Sequence, residues 1–482
     1  MITLKIGSEI EIDGLADHKD IVAAIAEANT FANPIYEQNI RYRRSNFKTA
    51  PTIKTYRFQG ERLILAAGYL RDLLNLLHSK GISQAQIDFQ DLRTTKAAKF
   101  PALRGIKLRP YQSKAVEMSM QADYGVVCAP TGSGKTFLAL EIILKRKQKA
   151  LIIVHRKELA EQWQRVIKET MGLEAGYIGG GSWKIGDNIT IGMIQTLAKD
   201  EKRTRELGES VGLVIAEEVH HCPAQTYCEV LSWLKARFRY GMSATLSRRD
   251  KLENIIYRSV GNVLINIERS EVENRGATVP ITIQLVKTGF NPGIIKGWNE
   301  YQNALTSSAN RNLLILALAQ NAGASALILC DRTEHADNLS EMLSRRGIKH
   351  ILAHGKLSKN DRENAMQGMA TAAITVGTTS LLGEGLDFDR WAVLVLASPI
   401  SSEIKLMQAL GRIVRPSNGK QQAIVYDLKD DHALSGSSFN KRFQLYDKHK
   451  IRVEFPGELN KKTATPRDQR FSRQTQNEKA VY

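Results

Sequence analysis

The sequence predicts an α/β protein: two successive parallel-sheet units, preceded by a small α+β domain. Three observations predict it. First, predominantly apolar runs of strand length recur at Gly125 to Ala129, Ala150 to Val154, Ile189 to Met193, Val211 to Ala216, Ala326 to Cys330, Ile374 to Thr378 and Val393 to Ala397. Such runs belong to strands buried on both faces. Second, the intervening segments repeat apolar residues at helical spacing, as in Phe137 to Leu144. Third, 482 residues allow about three domains of ordinary size. We divide the chain into residues 1–100, 101–275, 276–430 and a short extension, 431–482.

Composition narrows the function classes. A hydrophobic fraction of 43% with 24% charged residues is ordinary for a folded protein with substantial cores. Sixty-eight Lys and Arg against 50 Asp and Glu leave a net charge of +18, which favours a polyanionic partner, nucleic acid above all. Cys128, Cys222, Cys228 and Cys330 are too few and too scattered for a disulfide framework, so a reducing cytoplasm is expected. Cys222 and Cys228 lie near His220 and His221, but zinc sites usually show two tight ligand pairs and no second pair is evident, so no zinc is expected. The N-terminus lacks a signal peptide's apolar core, and no apolar run approaches the roughly 18 residues that span a membrane.

In chain order, Met1 to Ile12 reads as one or two strands and Asp20 to Ala28 as a short helix. A basic, aromatic stretch follows, from Asn33-Pro34 through Arg41-Tyr42-Arg43-Arg44 and Phe47-Lys48 to Tyr56-Arg57-Phe58. Interleaved cations and rings suit phosphate contacts and stacking on unpaired bases. They equally suit a small domain with a solvated basic face and core aromatics. Leu63 to Leu77 reads as an amphipathic helix, and Ser79 to Phe100 as a linker.

The run from Gly125 to Thr136 is strand, glycine-rich turn and helix in that order. Pro130, Thr131, Gly132, Ser133 and Gly134 turn backbone N–H groups toward an anion, and the helix N-terminus adds its positive dipole end. Lys135 can then reach the β/γ-phosphates of ATP and the Thr136 hydroxyl can ligate Mg²⁺. Upstream, Arg109 and Gln112 are placed to read the adenine edge. His155 and Arg156 follow one strand, Gln195 and Thr196 another, at the edge where open α/β sheets place ligands. A third strand delivers Glu217-Glu218-Val219-His220, an acidic pair suited to Mg²⁺ binding and polarisation of an attacking water. Ser243-Ala244-Thr245 at the next strand end can link the phosphate state to the neighbouring domain.

The second half repeats the alternation without a second P-loop, and contains Thr378-Thr379, Gly383-Glu384-Gly385-Leu386-Asp387 and Gln408-Ala409-Leu410-Gly411-Arg412-Ile413-Val414-Arg415. On a helix Gln408, Arg412 and Arg415 share one face. Two guanidinium groups there can stabilise charge on a γ-phosphate held by the other domain.

The order of P-loop, acidic strand end and Ser-Ala-Thr, followed by Q-x-x-G-R-x-x-R, resembles a superfamily 2 helicase over roughly residues 105–430. Glu217-Glu218-Val219-His220-His221 and Arg248-Arg249-Asp250 resemble the XPB branch. The layout, a small basic domain ahead of two motor domains, is similar to phage helicases of the UvsW type. The resemblance implies two tandem RecA-like domains with ATP and Mg²⁺ in the cleft between them. It implies ATP-driven 3′→5′ translocation on DNA, remodelling forks and Holliday junctions, by a protein expected to act as a monomer. It places Gly385 and Asp387 in the family's motif V, as residues that bind the nucleotide, and couples His220 to Gln408. DNA contacts are expected from Arg41, Arg43, Arg44, His155, Arg156, Gln195, Thr196, Arg248, Arg249, Thr378 and Thr379.

One departure stands out. The family has Asp where this chain has Glu217, and an extra methylene shifts a carboxylate whose position matters. Hydrolysis survives if the metal is held through waters. The alternative is a nucleotide-gated clamp with weakened hydrolysis. An RNA helicase with the same motor also stays open.

Overall fold

The computed structural model describes residues 1–218, 224–244, 252–369, 371–379, 390–417 and 419–455. These residues form three sheets of five, eight and seven strands and a two-stranded ribbon.

The first sheet runs Tyr56–Gln59, Arg62–Ala66, Glu9–Asp13, Ile2–Ile6, Ile87–Asp91, antiparallel except for the last pair. Period-two alternation points Ile2, Leu4, Ile6, Ile10 and Ile12 inward, where Leu73 and Leu77 of helix Leu70–Ser79 cover them. Two expectations change here. Leu63-Ile64-Leu65 belongs to a strand, because Gly60 with φ +62° turns the chain and residues 62–66 pair on both sides. Three apolar residues in succession satisfy either period, so pairing decides. The stretch after Ser79 is no free linker: Ile87–Asp91 pairs with Ile2–Ile6, and Thr94 and Ala97 bridge to Ala236 and Gln148 of the next domain.

The second sheet is ordered Ser182–Lys184, Gly176–Gly179, Ile189–Met193, Ala150–Val154, Leu213–Glu217, Phe238–Ser243, Tyr124–Cys128, Val263–Asn266. All pairs are parallel but the first. Ala150, Ile152 and Val154 enter the core on one face while Leu151 and Ile153 enter the other, which is why such a strand is apolar throughout. One edge of the sheet therefore carries the residues after Cys128, Val154, Met193 and Ser243, and Glu217 with Glu218.

The third sheet is fully parallel: Ile351–Ala353, Ile374–Thr378, Ala326–Cys330, Val393–Leu396, Ala423–Lys429, Ile281–Lys287, Arg452–Glu454. Two RecA-like α/β domains in tandem thus follow the α+β domain. Residues 431–455 complete the third sheet, and the basic tail expected from Pro456 onward lies outside the described residues. Helix Ala433–Lys448 packs Phe439 and Tyr446 into the core, and Arg442 pairs with Asp427 at 2.7 Å with both side chains buried. Ser438 and Tyr446 complete that pair's hydrogen bonds, offsetting the cost of burying it.

The N-terminal domain is seated on the second sheet's layer. Arg258 pairs with Asp72 at 2.8 Å, Asn262 donates to the same carboxylate, and a Cβ on Gly68 would come within 2.4 Å of the Gly261 nitrogen. Two backbones touch there, which only glycine permits.

Candidate active site

The P-loop hangs between strand Tyr124–Cys128 and helix Lys135–Arg146. Gly132 and Gly134 have φ of +86° and +79°, left-handed turns that aim successive N–H groups into the loop's concavity. The helix has no side-chain cap, so its first N–H groups stay available to an anion. The Ser133 carbonyl accepts hydrogen bonds from Tyr111 at 3.0 Å and from Gln112 at 2.8 Å, which brace the turn from beneath. Gln112 also accepts from the Arg109 N–H at 2.8 Å and is buried. Both ends of its amide are thus committed, and adenine recognition through it would require one of these bonds to exchange. The Ala129 N–H donates to the Ser243 carbonyl at 2.9 Å, tying the loop's start to the strand that ends in Ser243 and Ala244.

The Lys135 ammonium lies 3.2 Å from the Ala129 carbonyl and 3.3 Å from a Glu218 oxygen. Glu218 has φ +48°, a left-handed conformation uncommon for a side-chain-bearing residue and of the kind that clusters at functional sites. The strand end thus turns Glu218 toward the P-loop and Glu217 away from it. Glu217 is buried, and its carboxylate accepts a hydrogen bond from the Trp163 indole N–H. Burial pushes the Glu217 carboxyl up to about 7, opposed by the Trp163 hydrogen bond and aided by the charge of Glu218. The Tyr227 hydroxyl donates to the Glu217 carbonyl at 3.2 Å.

This arrangement fits a nucleotide polyphosphate: a ring of N–H groups, an uncapped helix start and a buried ammonium. It fits Mg²⁺ through Thr136 and phosphate oxygens, with Glu218 beside Lys135. Glu217, expected as a metal ligand, instead bonds Trp163. Among the described residues no cluster of three His, Cys, Asp or Glu forms a metal centre by itself.

The second RecA-like domain reaches this site through helix Glu403–Ile413. A Cβ on Gly411 would come within 2.5 Å of the Thr131 side chain, so the absent methyl lets the helix lie directly on the P-loop. Gly132 similarly faces Val414, whose carbonyl accepts from the Val279 N–H at 2.7 Å. Gln408 and Arg412 line a small cleft with Thr379 and Lys405. Arg415 does not share their helical face: the helix stops at Ile413 with Val414 as its cap. Pro416 follows Arg415 and disfavours a helical conformation there, a signal present in the sequence. Burial lowers the pKa of Arg415.

Of the nucleic-acid residues, His155, Arg156, Gln195 and Thr196 lie on one sheet edge, and Gln195 donates to the His155 carbonyl at 2.9 Å. Thr378 and Thr379 are buried rather than presented, with the Thr379 hydroxyl on Asp331 at 3.2 Å. Arg41, Arg43 and Arg44 are exposed. His220, Thr245, Arg248, Arg249, Gly385 and Asp387 lie outside the described residues. Trp163 was missed, because a buried aromatic at helical spacing carries no local sign of a partner 54 residues away.

Residues 105–248 match the family described as Type III restriction enzyme, res subunit, and residues 309–417 match the helicase conserved C-terminal domain. "Probable helicase D10" of Escherichia phage T5 is 29% identical over 74% of this chain and 77% of its own length. "DNA 3'-5' helicase XPB" of Kineococcus radiotolerans is 26% identical over 70% of this chain and 63% of its own. The solved structure of T4 UvsW aligns over 94% of this chain and 98% of its own, at 19% identity and a TM-score of 0.42. With both helicase domains present in order around one ATP site, the chain belongs to the superfamily 2 helicases and is an ATP-dependent nucleic-acid helicase, with phage and XPB helicases among its relatives.

Proposed function

We propose that this helicase is a DNA motor. In this reading it moves 3′→5′ as a monomer in the cytoplasm and unwinds or remodels forks and Holliday junctions in replication, recombination or repair. The observation that carries the motor is the seating of helix Glu403–Ile413 on the P-loop at Gly411 and Thr131. The +18 net charge supports a nucleic-acid partner, and support for DNA comes from the relatives named as DNA 3′-5′ helicases. Support for a branched substrate comes from the N-terminal domain, which carries the exposed basic stretch Arg41, Arg43, Arg44 and Lys48 and is seated on the first motor domain through Arg258 and Gly68.

The residues divide the work as follows. The loop Pro130–Gly134 and Lys135 hold the β- and γ-phosphates. Lys135 leaves its Glu218 partner for the γ-phosphate, freeing that carboxylate to orient and deprotonate the attacking water. Mg²⁺, held by Thr136 and the nucleotide, would neutralise charge on the bridging oxygens. Arg412 and Arg415 stabilise the charge that develops on the transferred phosphoryl group. Hydrolysis removes that contact, loosens the Gly411–Thr131 seat, and lets the DNA-gripping edges of the two domains separate by a step. Ser243, tied to Ala129, passes the loop's state to the strand edge.

The test is steady-state ATP hydrolysis with single-stranded DNA, blunt duplex, forked DNA and RNA. Fork-stimulated turnover abolished by Lys135→Ala supports the reading; equal or greater stimulation by RNA overturns it. A second reading, an ATP-gated clamp with weak hydrolysis, is favoured by one observation: Glu217 bonds Trp163 in the core. Turnover absent from wild type and restored by Glu217→Asp would select it.

A further inference from the structure

We infer that Phe47 is the tip of a preformed arm that stacks on the unpaired base where duplex meets single strand. The inference rests on the branched-DNA reading above and deepens it.

The arm is residues 33–51, inserted between the paired strands Thr30–Ala32 and Thr52–Lys54. Its helix, Pro34–Arg41, buries none of its residues, so no apolar core holds the arm. Three asparagines take that role. Asn33 accepts from the Ile35 N–H at 3.1 Å and donates to the Ala50 carbonyl at 2.8 Å, closing the base. Asn39 donates to the Asn46 side chain at 2.9 Å, and Asn46 to the Tyr36 carbonyl at 3.2 Å. The Arg44 N–H bonds the Asn39 carbonyl at 2.8 Å, after Arg43 turns the chain with φ +53°. The product of this network is a phenyl ring held in water: Phe47 is 93% exposed, and Tyr42 of the same arm is 58% exposed.

An ordered loop presenting an apolar ring has already lost the freedom that binding would otherwise cost, so the ring is set for a flat apolar partner. The surrounding charge selects that partner. Arg41, Arg43, Arg44 and Lys48 stand against the single carboxylate Glu37 within residues 33–51. Cations flanking a ring suit a nucleobase joined to phosphates. The interior of a paired stack offers no free base face, whereas the unpaired base beside a junction does.

The arm's foot is fixed to the motor. Arg258 donates to the Ala28 carbonyl at 3.0 Å, pairs with Asp72, and lies over the rings of Phe31 and Tyr69 at 5.8 and 4.4 Å. Phe47 therefore travels with the first motor domain and meets the junction at a set distance from its sheet edge.

The experiment places a fluorescent adenine analogue, whose emission falls on stacking, at the first unpaired position of a forked DNA, and adds the full-length protein without nucleotide. Wild type is expected to quench the probe. Phe47→Ala should lose the quench and bind the fork at least about five-fold more weakly, the loss for one stacked base, with blunt-duplex binding unchanged. Phe47→Trp should keep both. Full exposure of Phe47 means that neither substitution disturbs the fold. A Phe47→Ala protein that quenches and binds forks like wild type overturns the inference, and leaves a protein partner as the arm's ligand. Wild type that shows no preference for forks over duplex overturns the branched-DNA reading as well, so the two failures are distinguishable.

Discussion

The Trp163 indole N–H donates to the Glu217 carboxylate inside the first motor domain, drawing the first acid of the Glu217-Glu218 pair into the core. The second acid, one residue on, faces Lys135 at 3.3 Å. Two adjacent carboxylates thus occupy different environments, because a strand end with left-handed Glu218 sends their side chains to opposite sides.

Shortening Glu217 tests that division. Aspartate cannot extend as far toward the indole and would return its carboxylate to the phosphate side. Glu217→Asp should therefore hydrolyse ATP at least as fast as wild type with forked DNA. A turnover ten-fold lower would mean that the longer side chain is required. The steady-state rate decides.

Trp163→Phe keeps an aromatic ring in the core, a smaller one, and removes the donor. The buried carboxylate then loses its hydrogen bond, a cost of about 1–3 kcal/mol. The melting temperature of the nucleotide-free protein should fall, and Mg·ATP should recover more of it than in wild type if Glu217 can turn toward the site. Thermal melts with and without Mg·ATP measure both effects.

Glu218→Gln removes the base but leaves the P-loop intact. Hydrolysis should fall by about 10²–10⁴-fold while nucleotide binding persists. Lys135→Ala should lose both. Equilibrium nucleotide binding beside turnover separates the two substitutions.

Gly411→Ala is a steric test of the interdomain seat. The added methyl would lie within 2.5 Å of the Thr131 side chain, so the helix must back away from the P-loop. Alanine suits a helix better than glycine, so stability should hold. Turnover should drop by about ten-fold or more through misplaced arginines, with an unchanged melting temperature.

Motor domain two should be acid-sensitive through His335. Its ring is buried between Asn312 and Ser398, and burial, with Arg311 nearby, lowers its pKa from 6.5 to about 3. The folded chain keeps the ring neutral while the unfolded chain takes up a proton below 6.5. Stability is therefore whole above pH 6.5 and declines as pH falls toward 3, by up to about 1.4 kcal/mol per unit. His335→Asn should flatten that slope between pH 7 and 5 in chemical denaturation.

Much of the site was legible because its chemistry is local. The P-loop needs only a strand, a glycine turn and a helix start, all within residues 125–136, and the structure forms them there. Strands Ala150–Val154 and Ala326–Cys330 match the expected bounds, since five apolar residues between polar flanks leave little choice, and Ile374–Thr378 matches its bounds as well. The end of the helix before Arg415 was also written in the chain, as Pro416. Leu63-Ile64-Leu65 was different: its apolar run fits two periods, and only pairing with Tyr56–Gln59 and Glu9–Asp13 selects the strand.

By itself, then, the sequence determined the α/β class, the order of the motor motifs and the polyphosphate chemistry, because each depends on residues adjacent or a helical turn apart. Only the tertiary structure decided where side chains with two possible partners point. Glu217 meets Trp163, Gln112 braces Ser133, Thr379 turns to Asp331, and Phe47 stands in solvent. Composition offers each of these polar groups many acceptable partners and leaves a ring either core or surface. The choice falls to whichever group the packed sheets bring within a few ångströms, and that proximity is a property of the whole fold.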